Sequence, residues 1–396
     1  LLLSNSYGTS AIPDNCNTWV GTVIDGQTYR MAFQNALIKN ISFSAIFYQF
    51  KSSDYVVFEL QMDQFPDRLA VNGSTYINPI IGRLKPANAT TGDWEWDNFN
   101  SLVRIVGKWV VVDVEDLKFS TMEVRGIMEL DYFPDSNGSY YDFKIEATYI
   151  IIQGGNFIGG WENNPLQGSA EIMLVGDHST PEFHTTSGPS IGSKVIGVFG
   201  NLDLHGKNVN HTWTKLNTTA NVGDTQINVQ DAVDWKVGDS IVIAPTSYNA
   251  WETETFQISA ISSTTITLSG ELSYKHLAFS EMLPSGKMIE MRAEVGLLTR
   301  NVKVIGKGYN NNYTESFGAR IIVSSKIENG SNYTGNARLS NVEFVNSGQE
   351  GYYNLYDARF SITYSNTGTV SNIKPSYVKE CAFHDGFSPA IGLFGA

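Results

Sequence analysis

The sequence predicts an all-β protein, in which a small sandwich-like segment leads into glycine-punctuated strands that stack into a coil. Three observations carry that expectation. Tyr (19) and Phe (21) stand among many Val, Ile and Thr, the residues that fit a pleated, half-buried surface. No long stretch repeats its apolar residues at the helical period. The 36 glycines close short apolar runs at a recurring offset, which is the punctuation of a stacked repeat.

Taken in order, residues 1–92 alternate apolar and polar residues in short runs such as Tyr55-Val56-Val57-Phe58-Glu59-Leu60, broken by Pro66, Asn72-Gly73, Pro79 and Pro86. This pattern predicts a β-sandwich-like segment. The aromatic stretch Trp94-Glu95-Trp96-Asp97-Asn98-Phe99 interrupts it, and a boundary is placed at 93.

Residues 93–215 repeat one phrase: Val124-Arg125-Gly126-Ile127-Met128-Glu129-Leu130, Ile152-Gln153-Gly154-Gly155-Asn156-Phe157-Ile158-Gly159, and Val198-Phe199-Gly200-Asn201-Leu202-Asp203-Leu204-His205-Gly206. The two-residue strand period puts Val124, Met128 and Leu130 on one face, and the missing side chain at Gly126 permits a bend or a close neighbouring rung. Such units bury a core only by stacking.

Residues 216–285 change style. In Val222-Gly223-Asp224-Thr225 and Val237-Gly238-Asp239-Ser240 a Gly-Asp turn opens a run of β-branched residues. Residues 286–396 return to rung-like phrases, Val302-Lys303-Val304-Ile305-Gly306 and Cys381-Ala382-Phe383-His384-Asp385-Gly386 among them, and are read as the first rungs of a right-handed parallel β-helix. Leu1-Leu2-Leu3 lacks the charged flank of a signal peptide, and the last phrase breaks off at Leu393-Phe394-Gly395-Ala396. Both ends are therefore expected to be cuts within a longer chain.

A formal net charge of -13 repels phosphate backbones, which makes nucleic acid a poor partner. No window reaches the roughly 18 apolar residues of a membrane helix, so any membrane attachment is expected outside this fragment. Cys16 and Cys381 are too few and too far apart to frame a disulfide scaffold or a zinc site. Nine Asn-x-Ser/Thr sequons, at Asn40, Asn72, Asn88, Asn137, Asn210, Asn217, Asn312, Asn329 and Asn332, point to a glycosylated ectodomain or secreted protein.

Ile151-Ile152-Gln153-Gly154-Gly155, Ala170-Glu171-Ile172-Met173-Leu174-Val175-Gly176, Leu204-His205-Gly206 and Trp213-Thr214-Lys215-Leu216 together resemble the G8 domain. The segments C-terminal to these, from Trp235-Lys236-Val237-Gly238-Asp239 through Met291-Arg292-Ala293-Glu294-Val295, are similar to the fibrocystin-L-like family and, more distantly, to the G8-containing cell-surface hyaluronidases. That resemblance implies a large single-pass membrane protein with an extensive ectodomain, found at cell surfaces that include the stereocilia coat. The hyaluronidase relatives carry a His-x-His pair on the strand that reads Phe360-Ser361-Ile362-Thr363-Tyr364-Ser365-Asn366 here. Thr363 and Ser365 occupy the two histidine positions, and no hydroxyl shuttles protons near neutral pH as an imidazole does.

No catalytic constellation replaces that pair, and a non-catalytic scaffold, adhesion or receptor-type ectodomain is the expected function, with an extracellular protein or glycan as ligand. A hyaluronan-type polysaccharide hydrolase or a carbohydrate-binding module is the alternative. Asp234, Asp239, Glu252 and Glu254 are weak candidates for calcium, the one cofactor for which the sequence offers oxygen ligands. His205, His276 and His384 read as structural residues of strand ends and turns, and Arg300 as a partner for Asp239 or Glu294. Of Trp94, Trp96, Trp161, Trp213, Trp235 and Trp251, most are expected to pack in the core, and Trp251, in the polar loop Tyr248-Asn249-Ala250-Trp251-Glu252, is the one most expected to be exposed. It is the expected glycan contact, since a flat apolar ring complements the C–H face of a pyranose.

Overall fold

A computed structural model describes residues 115–395 except 132–133, 135–137, 186–187, 309–315, 351–358 and 369–374, and earlier in the chain it gives the backbone of strands. Those early strands form short antiparallel ladders: Trp19–Ile24 with Gln27–Ala32, Phe43–Gln49 with Val56–Met62, and Leu69–Val71 with Thr75–Ile77. Whether they pack as a sandwich depends on side chains that lie outside the described residues.

From Leu102 onward the pairing turns parallel, and the strands fall into three columns. The first holds 116–119, 142–147, Ser169–Leu174, Val302–Gly306, Val342–Val345 and Ala382–His384. The second holds 102–106, 121–124, 149–153, 195–199, 320–324, Ile362–Ser365 and Ile391–Phe394. The third holds 109–112, 127–130, 156–159, 201–205, Asn336–Ser340 and Tyr377–Lys379. The long strands Asp116–Leu130, Asp142–Gly159 and Val195–His205 bend from one column to the next. The chain thus winds as a three-faced parallel β-helix, and the strands between 102 and 205 share its columns with those from Val302 onward.

Inside the coil, like stacks on like. Leu117, Ile145, Ile172, Val304, Phe344 and Phe383 form one file. Met122, Ile150, Ile196, Ile321 and Ile362 form a second, and Met128, Phe157, Leu202 and Ala337 a third. All belong to or pack against a single core, and each large side chain contributes about 1.5–3 kcal/mol by leaving water. On the outer side of the first column Asp116, Lys144, Glu171, Lys303 and Glu343 alternate in sign down the stack. Each charge therefore faces an opposite one on the next rung, and directly opposed like charges, which destabilise a sheet, are avoided.

The repeated glycines sit where the second column turns into the third. A Cβ on Gly155 would lie 2.6 Å from the Val124 carbonyl oxygen and closer still to that of Gly126; one on Gly200 would strike the Gly155 carbonyl, and one on Gly335 would lie 2.6 Å from the Ser324 carbonyl. Successive rungs approach there backbone on backbone, which only glycine allows. The bend or close approach expected at Gly126 is this corner.

Between Val195–His205 and Val302–Gly306 the chain leaves the coil to build a second unit. Its six antiparallel strands run in the order Trp213–Lys215, Glu294–Leu297, Ser240–Ile243, Glu254–Ser262, Thr265–Leu268, Gln226–Asn228. The two outer strands also meet: Leu216 bridges Val229, the Asn217 N–H donates to Asn228 at 2.7 Å, and the Gln230 N–H donates to Lys215 at 2.8 Å. The sheet therefore closes into a barrel and leaves no free edge. Its core is separate, built from Leu216, Ile227, Val229, Trp235, Ile241, Ile243, Ile258, Ile266, Val295 and their neighbours. Both Gly-Asp turns have one construction: Asp224 accepts the Asn221 N–H at 2.7 Å and Asp239 accepts the Lys236 N–H at 2.8 Å, after Gly223 and Gly238 at positive φ.

Candidate functional site

Among the described residues two places bear on function, the strand Ile362–Ser365, where the resemblance to hyaluronidases implied a His-x-His pair, and the end of the barrel. On strand Ile362–Ser365, Ile362 and Tyr364 point into the coil, and the Tyr364 hydroxyl donates to the Ala337 carbonyl at 3.3 Å. Burial pushes its phenol well above the ordinary range. Thr363 and Ser365 alternate to the outside, yet Thr363 is 0% exposed. Its file neighbours are Ile322 and Gly392, and the ring of Phe360 lies against Gly392 and stacks on Phe394 at 5.6 Å. Up the same face Ile151, Ile191, Val195, Phe199 and Ile322 form an outer apolar cluster with Phe183 and Tyr333. Thr363 is thus closed to solvent and flanked by apolar side chains.

The barrel has two unlike ends. Its polypeptide links to the coil, through 206–212 and 298–301, lie at one of them, where the Trp235 indole donates to the His211 carbonyl at 2.6 Å and the Ser240 N–H donates to Thr299 at 2.8 Å. At the opposite end, loop 244–253, loop 269–277 and the hairpin Ala278–Met282 with Met288–Arg292 come together. Loop to loop, Thr246 accepts the Leu277 N–H at 3.0 Å and His276 meets the Ala244 carbonyl at 2.9 Å.

A buried polar bracket fixes these loops. Glu254, at the start of its strand, accepts the N–H groups of Ser273 at 2.8 Å and Tyr274 at 3.1 Å, and its second oxygen also meets His276 Nε2 at 2.9 Å. His276 is 0% and Glu254 8% exposed. Burial alone would raise the Glu254 pKa, but these donors outweigh it and hold the carboxyl below its usual range. Beside the bracket Asn249 caps the short turn Ala250–Glu252 by accepting the Trp251 N–H at 3.1 Å. Trp251 emerges 89% exposed, with Tyr248 fully exposed and Tyr274 at 39%. On the hairpin Phe279, Ile289 and Met291 share one face and are also exposed.

The four calcium candidates are not brought together. Asp234 receives the Asn210 N–H at 3.1 Å, Asp239 closes its Gly-Asp turn, Glu252 meets the Asn249 amide at 3.4 Å, and Glu254 is committed to the bracket. No group of three or more His, Cys, Asp or Glu able to hold a metal occurs among the described residues. Asp239 and Glu254 lie at opposite ends of paired strands, a separation that closeness in sequence conceals.

Arg300 meets its expectation in part. Its guanidinium donates to the carbonyls of Leu297 at 3.0 Å, Thr299 at 2.8 Å and Glu380 at 3.2 Å, and its backbone N–H to Glu343 at 2.7 Å, while Asp239 acts on it through charge without a hydrogen bond. His384 bonds Glu343 at 3.0 Å and Asp385 at 2.8 Å. The bond to Glu343 is the largest of the influences that raise the His384 pKa. For Glu343 burial works upward, but His384 and the Arg300 N–H leave it lowered. His205 rests between the Gly160 carbonyl at 3.1 Å and the Tyr377 hydroxyl at 2.7 Å. Burial pushes the Cys381 thiol up to about 11.

Trp235 is buried and Trp161 half-buried, while Trp213 is 54% exposed on the barrel side. Asn210, Asn217, Asn329 and Asn332 are all exposed, and Asn329 and Asn332 share one projecting hairpin with Asn329-Gly330 as its turn. Asn40, Asn72, Asn88, Asn137 and Asn312, together with Trp94, Trp96 and Cys16, lie outside the described residues.

Against known proteins, the G8 domain family matches residues 93–217. The chain is 33% identical to fibrocystin-L of Homo sapiens and 32% identical to fibrocystin-L of Mus musculus, with all of this chain and 12% of each relative covered. Fibrocystin of Canis lupus familiaris is 24% identical over 89% of this chain and 10% of that protein. The chain therefore spans only a small part of the length of these relatives.

Proposed function

Because the chain is fibrocystin-L-like along its whole length and carries a G8 domain, we propose that it is a non-catalytic stretch of an extracellular scaffold or receptor-type ectodomain that binds a protein or glycan at the cell surface. One observation supports this reading above the others. Where the hyaluronidase relatives place two imidazoles, this chain has Thr363, 0% exposed, and Ser365. Neither side chain transfers protons at neutral pH or replaces a histidine ligand. The parallel coil then serves as a rigid framework, a role that needs stacking and no chemistry. The sequons, on this reading, carry glycans on a cell-surface ectodomain.

The test is incubation of the purified chain with labelled hyaluronan, with and without calcium, followed by chain-length analysis. The proposal expects no shortening under either condition. Shortening that tracks the protein through purification and disappears on chelation would replace the scaffold with a hydrolase.

A further inference from the structure

We infer that the end of the barrel remote from the coil is a platform for an uncharged pyranose glycan, with Trp251, Tyr248 and Tyr274 as its rings. This rests on the binding reading above and gives it a place and a ligand class. The position comes first. Large apolar side chains in solvent are concentrated at this end: Val222, Tyr248, Trp251, Tyr274, Phe279, Met282, Met288, Ile289 and Met291 are all exposed. A concentration of that kind marks an interaction surface, whereas isolated exposed residues do not.

The rings stand on a fixed base. The turn Ala250–Glu252 is capped at one end by Asn249 and held at the other by the Thr253 hydroxyl, which donates to Ala250 at 2.8 Å. Two residues further on, Glu254 ties that loop to the backbone of Ser273 and Tyr274. The loops carrying Trp251 and Tyr274 are thus joined through a buried group, so a ligand would not have to order them on binding, and preorganisation of this kind retains affinity.

Ligand class follows from charge and from the kind of side chain. The exposed carboxylates at this end belong to Glu271, Glu281, Glu290 and Glu294, with Glu252 half-buried. Of the cations, Arg292 is spent on the carbonyls of Leu216 at 3.1 Å and Asn217 at 2.8 Å and on the Ser280 hydroxyl at 3.1 Å. That leaves Lys275 and Lys287, too few to neutralise a polyanionic chain such as hyaluronan or a sulfated glycan. A neutral sugar needs no cations. Its C–H face would lie on the indole, and Asn249 and Glu252, the polar neighbours of Trp251 in the same loop and bonded to each other at 3.4 Å, supply hydrogen-bonding groups for its hydroxyls.

The experiment is a glycan array carrying neutral and anionic oligosaccharides, probed with the intact chain, followed by calorimetric titration of the retained glycans. Trp251→Ala, Trp251→Tyr and, as a control on a distant exposed indole, Trp213→Ala are titrated alongside. The inference expects saturable binding of a neutral glycan that changes little with salt. Trp251→Ala should weaken it about tenfold or more, Trp251→Tyr should restore much of the loss, and Trp213→Ala should leave it unchanged. Retention of anionic chains alone with a steep salt dependence, retention of no glycan, or full affinity in Trp251→Ala would each overturn it. None of these outcomes shortens hyaluronan, so the non-catalytic reading stands or falls separately.

Discussion

Phe344 lies face to face with Phe383 at 4.5 Å inside the coil, and Phe360 with Phe394 at 5.6 Å on its outer surface. In the barrel, Trp251 and Tyr248 stand in solvent. The two regions use aromatic rings for opposite ends because they solve the edge problem differently. A rung of the coil is open above and below, so its side chains must hold the next rung. A closed barrel satisfies its backbone within itself, and its end loops owe nothing to the core beyond their anchoring. Surface that could contact a ligand is consumed by cohesion in the first region and left free in the second.

The widest break between the regions should come from the corner glycines. Gly155→Ala drives a methyl group into backbone oxygens of the preceding rung, and because backbone cannot step aside as a side chain can, a loss of about 4 kcal/mol or more is expected. Thermal unfolding should show the coil melting early while the barrel, with its own core, melts near its usual temperature. A single transition shifted as a whole would mean that the two units fold as one.

Next is the bracket. Glu254→Ala leaves His276 and two N–H groups without their acceptor at a buried position, a change that costs about 2–3 kcal/mol. It should lower barrel stability and ligand binding together, and hydrogen exchange at 271–277 would report the loosening. Unchanged exchange there would mean that the loops are held by other contacts.

A smaller, pH-dependent effect belongs to the coil. His384 has a raised folded pKa, so its stabilising contribution is whole below the unfolded value of about 6.5 and fades as pH rises through the folded value. Glu343 has a lowered folded pKa, so its contribution is whole above the ordinary carboxylate range and fades as pH falls through the folded value. The strands Val342–Val345 and Ala382–His384 should therefore be best protected in mildly acidic solution. After correction for intrinsic rates, their hydrogen exchange should speed up toward alkaline pH. In His384→Gln the alkaline part of that dependence should flatten, and its persistence would assign the effect to another group.

The sequence carried a large part of this. Local signals reached the all-β character, the glycine punctuation and the two Gly-Asp turns, because a two-residue period and a positive-φ turn are written in neighbouring residues. Thr363 and Ser365 were equally legible, as was the polar loop that exposes Trp251. Barrel closure was not, since the contacts of Leu216 with Val229 and of Lys215 with Gln230 leave no periodic trace. The same holds for Glu254, read as a calcium candidate and found tied to a histidine 22 residues away. For Arg300 the charge of Asp239 was legible, but the carbonyls from two different turns that accept its hydrogen bonds were not, because only the stacking of rungs brings them together.

The contrast between wall and barrel is tested most directly by one pair of substitutions assayed for ligand binding and for stability. Trp251→Ala removes a ring that contributes little to packing and should leave stability within about 0.5 kcal/mol while binding falls. Ser365→Ala alters a half-buried position on the wall of the coil and should leave binding intact. Loss of binding or of any polysaccharide-directed activity in Ser365→Ala, with Trp251→Ala behaving as the parent chain, would place function on the wall of the coil and contradict the account.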